Sequence, residues 1–266
     1  MNALMTIREC SFSYGEGRFR LTDVDLDVAE GEMLGIVGPN GSGKSTLLRL
    51  MSGLLKPESG RIELRGTELG AVGRKHLATE LALLPQTPPS SFEFSVREVV
   101  SMGRYPYQGA FGFLTESDTK IVDNALEETG TRELAERYFS TLSGGERQSV
   151  LVASILAQQP SLMLLDEPTA SLDIHHRSEV MDLLWSLARR DLGVVVVTHD
   201  LNAAGQFCDR LALLNDGALV RTGNPEEVLD EDLLAEVYGT SVRVMPNPAT
   251  NAPMVIVPGK EAHEVE

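Results

Sequence analysis

A glycine-rich segment behind a short apolar run places the strongest constraint on how this chain can fold. The apolar run is Met33–Val37, and the segment after it reads Gly38-Pro39-Asn40-Gly41-Ser42-Gly43-Lys44-Ser45-Thr46, hereafter the phosphate loop. Its spacing, G-x-x-x-x-G-K-S, is typical of a loop between a buried strand and a helix whose backbone N–H groups surround phosphates. Glycine permits the tight turn, Lys44 places a charge on the β- and γ-phosphates, and Ser45 offers a hydroxyl to Mg²⁺. The loop therefore predicts a site for ATP and Mg²⁺.

A second apolar run ends in two carboxylates. Leu162–Leu165 is followed directly by Asp166 and Glu167. In ATPases with this type of loop, an acid at a strand end helps to hold Mg²⁺, usually through water, and Asp166 suits that role. Glu167 can orient or polarise the attacking water. An isolated Asp-Glu pair would indicate an exposed helix cap, but the phosphate loop favours the metal and water roles.

The order of strand-like and helix-like patterns predicts an α/β fold. Short apolar or alternating runs predict strands, and the second half of the chain alternates them with helical patterns, which indicates a parallel sheet covered by helices. The apolar spacing from Ser95 to about Gln159 is helical, so a helical segment is inserted into this pattern. The predicted strands are Leu21–Val28, Met33–Val37, Gly60–Leu64, Leu81–Leu84, Leu162–Leu165, Val194–Val197 and Leu211–Leu214.

The charge of the chain limits its partners. The 266 residues carry a formal net charge of −16, which argues against nucleic-acid binding and against a basic patch on anionic lipid. No run approaches the ~18 apolar residues of a membrane span. We therefore expect a cytosolic protein, or one held at the cytosolic side of a membrane by a protein partner. Cys10 and Cys208 are expected to be reduced thiols.

A third segment, Leu142-Ser143-Gly144-Gly145-Glu146-Arg147-Gln148, hereafter the signature segment, identifies a family. Ser143, Gly144 and Gly145 stand at the start of a helical pattern, and a helix N-terminus binds anions. The string LSGGERQ resembles the signature motif of the ATP-binding cassette (ABC) ATPases. In that family the motif closes over ATP bound to the partner subunit. The resemblance therefore implies a head-to-tail homodimer with two ATP molecules at its interface.

Further family features occur in the expected order. Tyr14 lies where ABC proteins stack an aromatic ring on adenine, although core packing is an alternative and Phe12 is a competing candidate. Gln86 follows the predicted strand Leu81–Leu84 and matches the glutamine that reaches Mg²⁺ and the attacking water. The resemblance thus implies Ser45, Gln86 and Asp166 around the metal ion.

The remaining features lie in the second half of the chain. Ser171-Leu172-Asp173 matches the D-loop, which crosses the dimer interface, so Asp173 is expected near nucleotide. His199 matches the switch histidine that contacts the γ-phosphate, and with Glu167 and Gln86 it completes the catalytic set. His175 and His176 are adjacent, and adjacent helical residues point about 100° apart, so we expect a solvated or interface face rather than a metal site.

The resemblance spans roughly residues 7–239 and implies the P-loop NTPase fold of ABC ATPases. That fold has a mixed or parallel sheet core, an N-terminal antiparallel β part and an inserted α-helical subdomain. We expect one ATPase domain over residues 1–240. Its nucleotide-binding core would comprise 1–86 and 161–240, its helical subdomain 87–160 would carry the signature segment, and 241–266 would form a C-terminal extension.

Finer strings indicate a branch of the family. Ser101–Tyr107, Leu172–His176, His199–Ala204 and Gly223–Leu229 are similar to the ATPases of iron–siderophore, haem and cobalamin importers. Such a subunit would lie peripherally on the cytoplasmic side of the inner membrane. It would bind transmembrane permease subunits and, indirectly, a periplasmic or surface substrate-binding protein. The alternatives are a zinc or manganese importer ATPase and a soluble ABC ATPase, for example in cluster assembly.

Overall fold

The computed structural model describes residues 3–15, 19–86, 93–109, 112–170 and 172–259. Its strands are β1 (Ala3–Ser13), β2 (Arg20–Ala29), β3 (Met33–Val37), β4 (Ser59–Leu64), β5 (Thr67–Glu68), β6 (Leu81–Leu84), β7 (Leu162–Asp166), β8 (Gly193–Val197), β9 (Arg210–Asn215), β10 (Ala218–Gly223), β11 (Arg243–Pro246) and β12 (Pro253–Ile256). Its α-helices are α1 (Lys44–Met51), α2 (Arg74–Glu80), α3 (Val96–Ser101), α4 (Glu116–Glu128), α5 (Gly144–Ala157), α6 (Ile174–Ala188), α7 (Leu201–Phe207), α8 (Pro225–Val228) and α9 (Glu231–Tyr238).

The strands form two main sheets. An antiparallel sheet has the order β2-β1-β4-β5, and a six-stranded sheet has the order β10-β9-β3-β8-β7-β6. In the six-stranded sheet every neighbouring pair is parallel except β9 and β10. This arrangement confirms the predicted α/β class, with a mixed sheet core and an N-terminal antiparallel part.

Strands β3, β7 and β8 of the six-stranded sheet are buried on both faces, which explains their continuous apolar runs. Leu34 and Ile36 face the antiparallel sheet and α1, in a core that also contains Leu47 and Met51. Met33 and Val37 point the other way and pack among α6, α7 and α9. Alternate residues of one five-residue strand thus enter two cores, and β3 and β8 are buried throughout.

A third core joins α3, α4 and α5, and a buried ion pair fixes it. Arg104 Nε donates to Asp118 Oδ1 at 2.8 Å, and Arg104 Nη1 donates to the Ala157 carbonyl oxygen at 2.8 Å. The guanidinium carbon lies 3.8 Å from the centre of the Tyr107 ring. These contacts tie the 3-10 turn Met102–Tyr107 to α4 and α5. The expected boundaries of a helical subdomain at 87 and 160 stay a prediction.

The direction of the strands brings distant residues to one edge. Since β3, β6, β7 and β8 are parallel, their carboxyl ends lie together. The phosphate loop follows β3, Gln86 lies two residues beyond β6, Asp166 ends β7, and His199 lies two residues beyond β8. The sheet therefore assembles one site from four separate segments.

The chain beyond Thr240 forms a hairpin, β11–β12, that packs on α7. Asn202 of α7 pairs with the backbone of Val255: its Oδ1 accepts from the Val255 N–H at 2.7 Å, and its Nδ2 donates to the Val255 carbonyl at 3.2 Å. Residues 260–266, the end of the expected C-terminal extension, lie outside the described residues. Within the ranges given above, the structure contains no helix with the length and apolar character needed to cross a membrane.

Replacement of Asp118 by asparagine is expected to lower the free energy of unfolding by about 3 kcal/mol at pH 7, because it leaves the buried Arg104 without its charged partner. Hydrogen bonds from Thr115 and Arg104 lower the pKa of Asp118 from 3.8 to about 2. A carboxyl with a lowered folded pKa stabilises above its unfolded pKa and loses that contribution as the pH falls. Urea titrations should therefore show a constant difference in the free energy of unfolding between the parent chain and Asp118→Asn from about pH 7 to pH 5. This difference should shrink below about pH 4.

Glu127→Gln provides the control for this experiment. Glu127 pairs with Arg132 on the surface at 2.6 Å, with two-thirds of its side chain exposed. Exposed pairs contribute little, so this variant should lose less than about 1 kcal/mol. Equal losses for the two variants would contradict the structural role of the Arg104–Asp118 pair.

Candidate nucleotide-binding site

The phosphate loop folds around the ammonium group of Lys44. Lys44 Nζ donates to the carbonyl oxygens of Gly38 and Pro39, each at 2.8 Å. Gly38 has φ +146°, and a β-carbon there would overlap the Leu214 carbonyl oxygen, so only glycine fits. Burial lowers the pKa of Lys44, and the charges of Glu167 and Asp166 oppose that shift.

A hydroxyl within the loop has an unmet hydrogen-bonding capacity. Ser42 Oγ is buried and has no hydrogen-bond partner among the described residues. Buried hydroxyls in native proteins are nearly always satisfied by protein, water or ligand. A phosphate oxygen would satisfy this one, so the loop fits the triphosphate that the sequence predicts.

The loop opens into a cavity of about 440 Å³. Among the described residues, nine of the predicted site residues line it together with Phe19: Tyr14, Asn40, Gly41, Gly43, Lys44, Ser45, Thr46, Gln86 and Glu167. The cavity thus brings together segments that lie as far apart as Tyr14 and Glu167 in the chain.

The hydroxyl of Ser45, which lines the cavity, and the carboxylate of Asp166 behind it fit a magnesium ion. Ser45 Oγ donates to Asp166 Oδ1 at 3.2 Å. Neighbouring ligands of an octahedral Mg²⁺ ion, each about 2.1 Å from the metal, are about 3 Å apart. Burial raises the pKa of Asp166, and the hydrogen bond from Ser45 opposes this, so a nearby cation would favour the ionised carboxylate. The described residues contain no cluster of three or more His, Cys, Asp and Glu side chains placed to hold a metal.

Glu167 is held between Gln86 and His199. Gln86 Nε2 donates to Glu167 Oε2 at 2.9 Å, and His199 Nδ1 lies 3.4 Å from Glu167 Oε1. The Glu167 backbone is left-handed, with φ +50°, and its N–H donates to the Val197 carbonyl at 2.9 Å. For a non-glycine residue such a conformation costs on the order of 1–3 kcal/mol and is found where the surrounding structure imposes it. The three side chains that the family pattern marks as catalytic are therefore adjacent.

The structure distinguishes the two aromatic candidates for adenine. The side chain of Tyr14 is 39% exposed and lines the cavity, and its hydroxyl lies 3.4 Å from Thr46 Oγ1. Phe12 is buried in the core and meets Tyr14 edge to face, with ring centres 4.9 Å apart. Phe19, which the sequence analysis missed, also lines the cavity. The signal that could have found it is an aromatic residue close to Tyr14 in the sequence, just before the predicted strand Leu21–Val28.

The signature segment lies apart from this cavity. Ser143 caps α5: its Oγ accepts from the Glu146 N–H at 3.3 Å, and Glu146 Oε2 accepts from the Ser143 N–H at 2.7 Å. Ser143, Gly144 and Gly145 are described residues and lie outside the cavity lining. A β-carbon on Gly145 would overlap the His176 ring, so glycine lets α6 approach α5 closely. The N-terminus of α5 is thus well formed, but it does not contribute to the cavity at the phosphate loop of the same chain.

The predicted D-loop leads into α6. Asp173 Oδ1 accepts from the His176 N–H and from His176 Nδ1, both at 2.9 Å, and so caps the helix outside the cavity. His175 is exposed and lies 3.4 Å from Glu179. Ser171, the first residue of the D-loop, lies outside the described residues.

Comparisons with known proteins agree with these features. The family model described as ABC transporter matches residues 21–170. The cobalamin import ATP-binding protein of Halobacterium salinarum is 43% identical over 87% of this chain, which spans 58% of that relative. The iron(3+)-hydroxamate import ATP-binding protein of Bacillus subtilis is 38% identical over 96% of this chain and 95% of its own. A dimeric structure described as a bacterial ABC transporter cassette superposes with a TM-score of 0.72 at 30% identity, over 83% of this chain and 98% of its own.

Tyr14→Ala is expected to weaken ATP binding about tenfold, because stacking an aromatic ring on a base contributes ~1–3 kcal/mol. Calorimetric titration with ATP measures this directly. Tyr105→Ala is the matched control, since Tyr105 is 60% exposed and lies outside the cavity lining. If Phe19→Ala weakens binding while Tyr14→Ala does not, the adenine contact belongs to Phe19.

Proposed function

This chain belongs to the ABC transporter family, and on that premise we propose that it binds and hydrolyses MgATP as a homodimer that drives an importer. The observation that carries the proposal is that the phosphate loop and Glu167 line one cavity, and that Asp166 is bonded to Ser45 of that lining. Each group has the chemistry that hydrolysis of a triphosphate needs.

The chain's own residues bind and orient the substrate. Lys44 and the loop N–H groups neutralise the phosphates, and the N-terminus of α1 adds its positive dipole end. Ser45 and Asp166, with Gln86 nearby, would hold Mg²⁺, which when bound would offset charge on the β- and γ-phosphates. Tyr14 would stack on adenine.

The chain also positions the attacking water. Glu167 has one carboxylate oxygen near Gln86 and the other near His199, so it can accept a proton from a water between them and the γ-phosphate. His199, with 62% of its side chain exposed, would contact the γ-phosphate from the other side. Gln86 and His199 would orient the attacking water and the γ-phosphate, and Glu167 would accept the proton from the water.

A second copy of the chain would complete each site. The capped N-terminus of α5 presents Ser143, Gly144 and Gly145 away from the chain's own loop, and a helix N-terminus favours an anion. In a head-to-tail dimer this surface would cover the γ-phosphate bound by the partner, with Asp173 of the D-loop at the interface. ATP binding would close the dimer, and hydrolysis would reopen it.

We further propose that the dimer energises uptake of a metal chelate: an iron–siderophore, haem or cobalamin. The named relatives are import ATP-binding proteins for cobalamin and iron(3+)-hydroxamate, which supports this class. The chain would lie on the cytoplasmic side of the cell membrane, bound to permease subunits, and a substrate-binding protein would deliver the chelate to them. The net charge of −16 supports a protein partner rather than an anionic lipid surface.

Glu167→Gln is expected to lower the ATPase rate at least about 100-fold while ATP still binds, because glutamine cannot accept the proton. The variant should accumulate as an ATP-bound dimer, detected by size-exclusion chromatography with light scattering. Glu68→Gln, an exposed change on β5, should keep the parent rate and should not accumulate the ATP-bound dimer. An unchanged rate for Glu167→Gln would remove this residue from the catalytic set.

Capture of the tagged Glu167→Gln variant from native membranes tests the transport proposal. Mass spectrometry is expected to find a multi-span permease, and a substrate-binding protein encoded or captured with it would narrow the chelate. If only soluble cluster-assembly proteins are captured, the importer proposal fails although the ATPase proposal stands.

A further inference from the structure

The first turn of α6 makes two contacts that the nucleotide site itself does not need. His176 and Arg177 are successive helical residues, so their side chains point about 100° apart. One reaches the signature segment and the other reaches the loop that carries His199. A single turn of helix therefore touches two regions that, in the proposed dimer, serve different ATP molecules.

Arg177 forms the contact with the His199 loop. Its Nη1 donates to Asp200 Oδ2 at 2.8 Å, and its Nη2 donates to the Leu172 carbonyl at 3.4 Å. Asp200 is the residue after His199 and is itself fixed, because its Oδ1 caps α7 at 2.9 Å and its N–H donates to Thr198 Oγ1 at 3.0 Å. The guanidinium thus joins the D-loop backbone to the loop of the switch histidine.

His176 forms the contact with the signature segment. Its ring packs directly against Gly145, where no β-carbon would fit, and Asp173 fixes the ring through Nδ1. Leu172 lies beside Gly144 on the same side. A displacement of α5 would therefore move the turn of α6 that carries Arg177.

We propose that Arg177 is a positioning residue that couples His199 to the D-loop and, through the turn it shares with His176, to the signature segment. The proposal rests on the proposed function, in which the D-loop and signature segment face a second copy. Arg177 lies outside the lining of the nucleotide cavity. It transmits the position of the interface to the histidine that faces the γ-phosphate, so that water attack is favoured only when the partner is docked.

Arginine suits this role better than lysine. Its planar guanidinium offers several N–H donors in a fixed geometry, so one group can bond a carboxylate and a backbone carbonyl together. Lysine at this position would keep the charge opposite Asp200 but lose the rigid two-partner geometry. Arg177→Lys should therefore recover only part of the function that Arg177→Gln removes.

A double-mutant cycle tests the coupling. Asp200→Asn is the paired change, since asparagine remains a good helix cap but loses the charge. Arg177→Gln and Asp200→Asn are each expected to lower kcat about tenfold with little change in KM, and the double variant should be no worse than either single variant. Arg190→Gln is the control and should keep the parent kcat, since Arg190 lies two residues beyond the end of α6 and pairs with Glu128.

Nuclear magnetic resonance of the histidine rings supplies a readout that does not depend on hydrolysis. The chain has five histidines, and a His199→Gln variant assigns the His199 signal. In the nucleotide-free chain, Arg177→Gln should shift the His199 signal and leave His76 unchanged, while Arg190→Gln should shift neither. Thermal unfolding of each variant checks that the fold is kept.

The outcomes separate this proposal from the one it rests on. A parent chain that does not hydrolyse ATP overturns the proposed function, and the histidine spectra then still decide whether Arg177 positions His199. If Arg177→Gln does not shift the His199 ring signal, the proposed coupling is wrong. Multiplicative losses of kcat in the double variant also overturn it, because they mean that Arg177 and Asp200 act independently.

Discussion

The parallel pairing of β3, β6, β7 and β8 is the constraint on which the rest of the site depends. It aligns their carboxyl ends, so the phosphate loop, Gln86, Glu167 and His199 meet although more than a hundred residues separate the first from the last. The strands are buried on both faces, and their apolar side chains fix the register. The energy of core packing thereby also holds Glu167 in its left-handed conformation between two polar neighbours.

A second constraint is that one chain carries two helix N-termini suited to phosphate that do not share a cavity. The N-terminus of α1 opens into the cavity with Lys44, whereas the N-terminus of α5 is capped by Ser143 and faces elsewhere. In the proposed dimer a second copy would resolve this mismatch, because each chain would supply the helix end that the other chain's ATP lacks. The first turn of α6 contacts both Gly145 and Asp200. It would therefore link the signature segment, which serves the partner's ATP, to the loop of His199, which serves the chain's own ATP.

Sequence patterns predicted the features that depend on local chemistry. The buried strands β3, β7 and β8 read as continuous apolar runs, and the phosphate loop was identified by its spacing. Strand β1 gave no clear alternation because register shifts near Glu9, where φ is +48°, interrupt it. Helix α2 was missed because none of its side chains is buried, which leaves no apolar period. The contacts of Phe19 with the cavity and of Arg177 with Asp200 depend on tertiary packing, which no local pattern encodes.

Complementation between two defective chains tests the composite site most directly. In a Glu167→Gln background, one chain carries Lys44→Ala and the other Ser143→Arg, so neither can form an intact site with itself. Light scattering with MgATP should find monomers for each chain alone and a dimer in the mixture, where one loop and one signature segment remain intact on opposite chains. No dimer in the mixture, or a dimer of either chain alone, would contradict a site shared between two copies.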